Sequence, residues 1–194
     1  MKRQIKVQKI VCYIILFSCA IAFVFALGLA TNIYNLMFAG DFDIKGYKIF
    51  EDIQPFNREL IVRCILMIVL VVFLFITRSH LRRRYYISNY VVTTFSALIN
   101  VFISIWAISN ILDFKQRFLT EVDFEGWLFI REIMVDFPYT ESTLWLDLNI
   151  IIFSLVIFAS LLLIGNLIWK IMLMKFEDKL LAGQIKPVNK PKEV

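Results

Sequence analysis

Charge is what this sequence lacks over long distances. Asp, Glu, Lys, Arg and His are all missing from Ile10–Gly40, Tyr85–Leu112 and Leu148–Trp169, and Leu60–Thr77 holds Arg63 alone. Soluble domains carry about 25% charged residues and interrupt their apolar runs. Here 19% of the 194 residues are charged and 60% are hydrophobic, with a mean hydropathy of +0.74. A large water-facing fold is excluded, and no length remains for a separate enzymatic module.

Other absences remove whole classes of chemistry. The three cysteines, Cys12, Cys19 and Cys64, lie within or at the edge of the apolar runs. The connections therefore hold none from which an oxidising compartment builds stabilising bridges. With His80 as the lone histidine, there is no two-His or Cys/His metal spacing, and no Gly-rich phosphate loop occurs. Asp41 and Asp43 lack the remaining ligands of a calcium loop. Serines and threonines of the runs have no adjacent His, Asp or Lys to act as base, and the runs contain no carboxylate for a hydrolase or a proton-coupled carrier. These observations argue for a non-enzyme without cofactor or metal.

What is present is four segments long enough to cross about 30 Å of hydrocarbon as helices at about 1.5 Å per residue. The expected fold is an all-α integral membrane protein of one domain, with four transmembrane helices in a bundle. The spans are expected at about 10–32, 60–77, 86–112 and 144–171. Charge orients them. Residues 1–9 carry Lys2, Arg3, Lys6 and Lys9; the turn at 78–85 carries Arg78, Arg82, Arg83 and Arg84; the tail at 172–194, counted with Lys170, has six lysines against three acids. The connections at about 35–58 and 113–143 are acidic, the second with eight acids against three bases when Asp147 is included. Basic segments stay cytoplasmic, so both ends are expected inside the cell membrane and both acidic loops outside. Orientation accounts for the basic segments without nucleic acid, and Arg82, Arg83 and Arg84 are placed to meet anionic lipid headgroups.

The first apolar run is longer than the ~7–15 residue core of a cleaved signal, so it reads as a retained signal-anchor. The plan resembles that of claudins and tetraspanins in topology alone, since the loop cysteine motifs of those proteins are missing.

Within the spans, small and polar residues mark the expected packing faces. Ser18, Ala22, Ala26 and Ala30 recur every four residues on the first, where small side chains let another backbone approach. The second is nearly all Leu, Ile, Val, Phe and Met, which suits a helix facing mostly lipid. Near its outer end, Glu59 and Arg63 have ion-pair spacing, and Arg63 is placed to snorkel. On the third, Thr93, Ser96, Ala97, Asn100, Ser104 and Ala107 form a polar, narrow stripe without an acid, Lys or His. Asn100 needs a partner there, because an unsatisfied amide in hydrocarbon is costly.

In the first outer loop, Lys45-Gly46 is a weak hairpin signal. In the second, Trp127, Leu128, Phe129, Ile130, Ile133, Met134 and Phe137 cluster among charges. That segment is too apolar for water and too short to span, so Phe124–Phe137 is expected as an interfacial helix and a partner-binding surface. Pro138 stops it, and Ser142 or Thr143 is expected to cap the next helix. The basic tail should remain helical to about Leu181, where Gly183 ends it.

The functional expectation is a non-enzymatic subunit or accessory of a larger membrane complex, a transporter or cell-envelope assembly. Its partners would be membrane lipid and a larger membrane protein or further copies of itself. The alternative is a homo-oligomeric channel or small transporter lined by the third-span stripe.

Overall fold

The computed structural model describes residues 2–34, 36, 46–78, 83–126, 142–181 and 183. Among them the regular structure is all helical, and four helices are long and apolar enough to cross a membrane. Helix α1 spans Lys2–Leu27 and leads into a 3₁₀ turn at Leu29–Asn32; α2 spans Tyr47–Arg78, α3 Arg83–Glu121 and α4 Leu144–Leu181. Hydrocarbon offers the backbone no hydrogen-bond partner, and a helix satisfies its own N–H and C=O groups along an apolar run of this length.

The helices outrun the apolar segments. The 39 residues of α3 reach about 58 Å, far more than the hydrocarbon thickness. Residues 113–121, expected in the second acidic connection, continue α3 because Phe114 and Phe118 prolong its buried face. Of the expected Lys45-Gly46 hairpin, Lys45 and the residues just before it lie outside the described residues, and the residues after the turn are helical. Gly46, at φ +119°, opens directly into α2, which already includes the stretch up to Arg58. Ile49, Ile53, Phe56 and Leu60 recur at three- and four-residue steps, which a helix places on one side and a strand would split between two.

Each helix packs on its neighbours in sequence, and α4 closes against α1. At one end Gln8 of α1, Thr77 of α2 and Lys170 of α4 all reach Asn89 of α3, directly or at one remove. At the other, α3 meets α2 through Arg117–Asp52 and α4 through Lys115–Asp147. The four helices therefore run alternately up and down around a square. The first end is called basic and the second acidic, after the connections found there.

The core follows one rhythm on all four helices: most buried positions recur at steps of three and four. On α1 they are Gln8, Cys12, Ile15, Cys19, Ala22 and Ala26; on α4 they include Leu146, Asn149, Phe153, Val156, Ser160, Leu163, Leu167 and Lys170. The expected seam of α1 is thereby corrected. Ala22 and Ala26 are fully buried, but Ser18 and Ala30 are only half-buried, and Cys19 takes the place assigned to Ser18. A strict four-residue repeat advances about 40° per step around a helix of 3.6 residues per turn, so Ser18 drifts from the shared face, while Ala30 lies beyond α1 in the 3₁₀ turn and packs partly buried against the core.

The outside is apolar on every helix. The most hydrophobic stretches of α1 and α2 are 28% buried and those of α3 and α4 39%, so α2 faces outward no more than α1 does. Phe17, Val62, Phe102 and Phe158 are among the large side chains left exposed. A bundle dissolved in water covers that surface with polar residues.

Candidate functional site: a polar column inside the bundle

At the basic end a single hydrogen-bonded cluster joins all four helices. The Lys170 ammonium donates to Asn89 Oδ1 at 2.9 Å and to Gln8 Oε1 at 3.5 Å. Gln8 Nε2 donates to the same Asn89 oxygen at 2.9 Å, and Asn89 Nδ2 donates to Thr77 Oγ1 at 3.3 Å. The lysine also lies 5.3 Å above the Tyr90 ring. Gln8, Asn89 and Lys170 are all at least nine-tenths buried. This corrects two expectations. Lys170, grouped with the basic tail, turns into the bundle, and the stripe of α3 begins against a cation. An ionisable group inside a spanning bundle points to function because its burial is costly.

From Asn89 the column continues along α3 through Thr93, Ser96, Asn100 and Ser104, all buried to within 1%. Thr93 Oγ1, Ser96 Oγ, Ser104 Oγ and both polar atoms of the Asn100 amide have no hydrogen-bond partner among the described residues. The span serines of α1 and α4 behave differently: Ser18, Ser154 and Ser160 donate to the carbonyls of Ile14, Ile150 and Val156 one turn back. The cluster also sets the depth of each residue. Asn100 and Cys19 lie the same eleven residues beyond Asn89 and Gln8, while Ser160 and Met67 lie ten before Lys170 and Thr77. These four side chains form one level, about 16 Å from the cluster.

Further on, the core turns apolar and large. Phe153, fully buried, lies at the level of Ala107, and Phe56 packs on Trp106 and Phe114 at centroid distances of 5.1 and 5.3 Å. Arg63 pairs with Glu59 and lays its guanidinium 3.7 Å over the Trp106 ring, which holds it on the bundle wall. Pairing was legible in the sequence; the aromatic face was not, because it comes from another helix.

The acidic end is tied by polar contacts around its rim. Arg117 reaches Asp52 at 2.8 Å and Glu121 at 3.3 Å, and Lys115 reaches Asp147 at 2.6 Å. Ser142 Oγ accepts from the Leu144 N–H, and Thr143 donates to Asp147, so both expected capping residues engage the first turn of α4. Asn149 donates to the Phe25 carbonyl near the end of α1, and Asn32 accepts from the Trp145 N–H. Gly28 suits this crossing, since a Cβ there would stand 3.1 Å from the Trp145 ring and the ring would have to shift by a few tenths of an ångström.

Two expected sites lie wholly or partly outside the described residues. Arg82 does, and Arg83 and Arg84 are described only as the start of α3. Trp127, Leu128, Phe129, Ile130, Ile133, Met134 and Phe137 also do; Phe124–Gly126 just before them are helical, with Phe124 against Phe118 at 5.7 Å.

Gln8, Thr77, Asn89 and Lys170 were not singled out from sequence. One signal was available: Gln8 and Lys170 fall in step with the three-four pattern of α1 and α4. Family models, curated proteins and solved structures were all compared with the chain, and none matches it.

Proposed function

We propose that this chain is a non-enzymatic multi-pass protein of the cell membrane, with its basic end and both termini cytoplasmic, serving as a subunit or accessory of a larger membrane complex. The non-enzymatic part rests on the chemistry missing from the sequence. The subunit part rests on one observation on the outside of α4. Gly165 is exposed with open space where a Cβ would be, and the neighbouring Asn166 is half-exposed with no side-chain hydrogen bond among the described residues. Both lie about one turn from Lys170 within the apolar stretch of α4. An amide facing hydrocarbon is costly, and a bare glycine backbone lets a second helix come close. A partner helix would satisfy the first and use the second. The Trp127–Phe137 cluster is the proposed contact at the acidic end.

The test is the mass of the complex extracted in mild detergent, with its partners identified. Gly165→Leu with Asn166→Leu should release the partner while the bundle stays helical, and Phe129→Asp should weaken the same association. A chain that runs alone, folded, in every gentle detergent would end this reading.

A second reading, a channel or small transporter, draws on the column. Ser96, Asn100 and Ser104 face the interior of one chain, so a path along them would run within a single bundle and not between copies. Conductance of reconstituted liposomes, lost or altered in Asn100→Leu, is its measurement.

A further inference from the structure

We infer that the core between the Lys170 cluster and Phe153 is an internal water-binding site, a short file of waters held by Thr93, Ser96, Asn100 and Ser104. The inference does not depend on the subunit reading.

Five polar atoms on these four side chains are buried and unpartnered among the described residues. They lie along one face of one helix at steps of three and four residues. Buried polar groups in folded proteins are almost always satisfied, by protein or by ordered water. The usual local remedy, donation to the carbonyl one turn back, is taken by Ser160 on the facing helix but by none of these three hydroxyls.

Spacing and surroundings fit the same ligand. Polar groups one helical turn apart are separated by about 5.4 Å along the axis, close to the span of one water making two hydrogen bonds of about 2.8 Å. Around Asn100 and Ser104 the facing side chains of α1 and α4 are small, Cys19, Ala22, Ala159 and Ser160, while Met67 of α2 flanks the Asn100 level and Ile15 and Leu163 narrow the core near Ser96. Hydroxyls and an amide both donate and accept, as water does, and an internal water needs two to four such partners. An apolar occupant would leave all five atoms unsatisfied. At one end the file meets Asn89, and through it Lys170. At the other, Ala107 and Phe153 offer no polar atom, so the file stops there.

The full-length protein in lipid bilayers, studied by solid-state NMR with magnetisation transferred from water, tests this directly. Transfer to the Asn100 side-chain amide should match that to Asn89 and exceed that to the Phe153 ring by at least about threefold. Equal transfer to Asn100 and Phe153 would overturn the inference. In the Ser96→Ala, Ser104→Ala double variant, which keeps the large core residues, transfer to Asn100 should fall; an unchanged rate would show that the hydroxyls hold no water. Asn100→Leu should reduce transfer to Thr93, and persistence of the full signal there would likewise count against a shared file.

Discussion

The two halves of the bundle core are built on the same four helices, in the same three-four rhythm, from different mixtures of residues. Toward the basic end polar residues, Gln8, Asn89, Thr93, Ser96, Asn100, Ser160 and Lys170, share the interior with Ile15, Val71, Leu74 and Leu163; toward the acidic end it is mostly Leu29, Ile33, Ile53, Phe56, Phe114, Phe118 and Phe153. One half adds to its packing a cluster of directional bonds around Asn89. The other is held by close-packed volume, with charged pairs confined to its rim. Lipid does not reward apolar burial between helices, so cohesion must come from packing or from hydrogen bonds. This bundle packs throughout and adds the four-helix cluster around Asn89 at its basic end. The difference teaches that periodicity locates a core without saying what kind of core it is.

The sharpest way to break the contrast is to empty the packed half. Phe153→Ala should cost about 3–5 kcal/mol, because a dry, rigid interior collapses only in part around a lost ring; reversible unfolding in detergent micelles measures it. Next comes the polar half. Asn89→Leu removes the acceptor shared by Lys170 and Gln8 and should cost about 2–3 kcal/mol, since a bond to a buried charged donor is lost. If Asn89→Leu is neutral, the cluster is not what holds that end.

Smaller effects refine the picture of the α1 face. Ala22→Leu drives an extra side chain into the core and should cost about 1–3 kcal/mol, whereas Ser18→Leu, on the half-exposed side, should change stability by less than about 0.5 kcal/mol. Equal costs would restore the four-residue seam read from sequence. Smallest of all should be the rim. A double-mutant cycle on Asp52→Asn and Arg117→Gln should give a coupling of about 0.2–1 kcal/mol that fades with added salt, because both side chains are partly exposed.

Much of the fold could be read residue by residue. The uncharged runs located the four helices, and Ser142 and Thr143 were recognisable as the cap of α4. Helix limits were less accessible: Tyr47–Arg58 and residues 113–121 carry enough charge to look like loops, and their buried aromatics and isoleucines reveal helix only once a neighbouring face exists to receive them. The candidate site was half visible. Ser96, Asn100 and Ser104 stood out as polar residues in an apolar helix. Lys170 did not, because a lysine where an apolar run ends looks like any other member of a basic tail.

Composition and order along the chain were sufficient to determine that this polypeptide folds as four long apolar helices, since uncharged segments of that length have a single way to satisfy their backbones in hydrocarbon. Tertiary structure alone decided which side of each helix became interior. A helix is free to rotate about its axis until its neighbours hold it, and that rotation turned Lys170 and Gln8 inward, left Ser18 half outside, and gathered residues from the three other helices around Asn89.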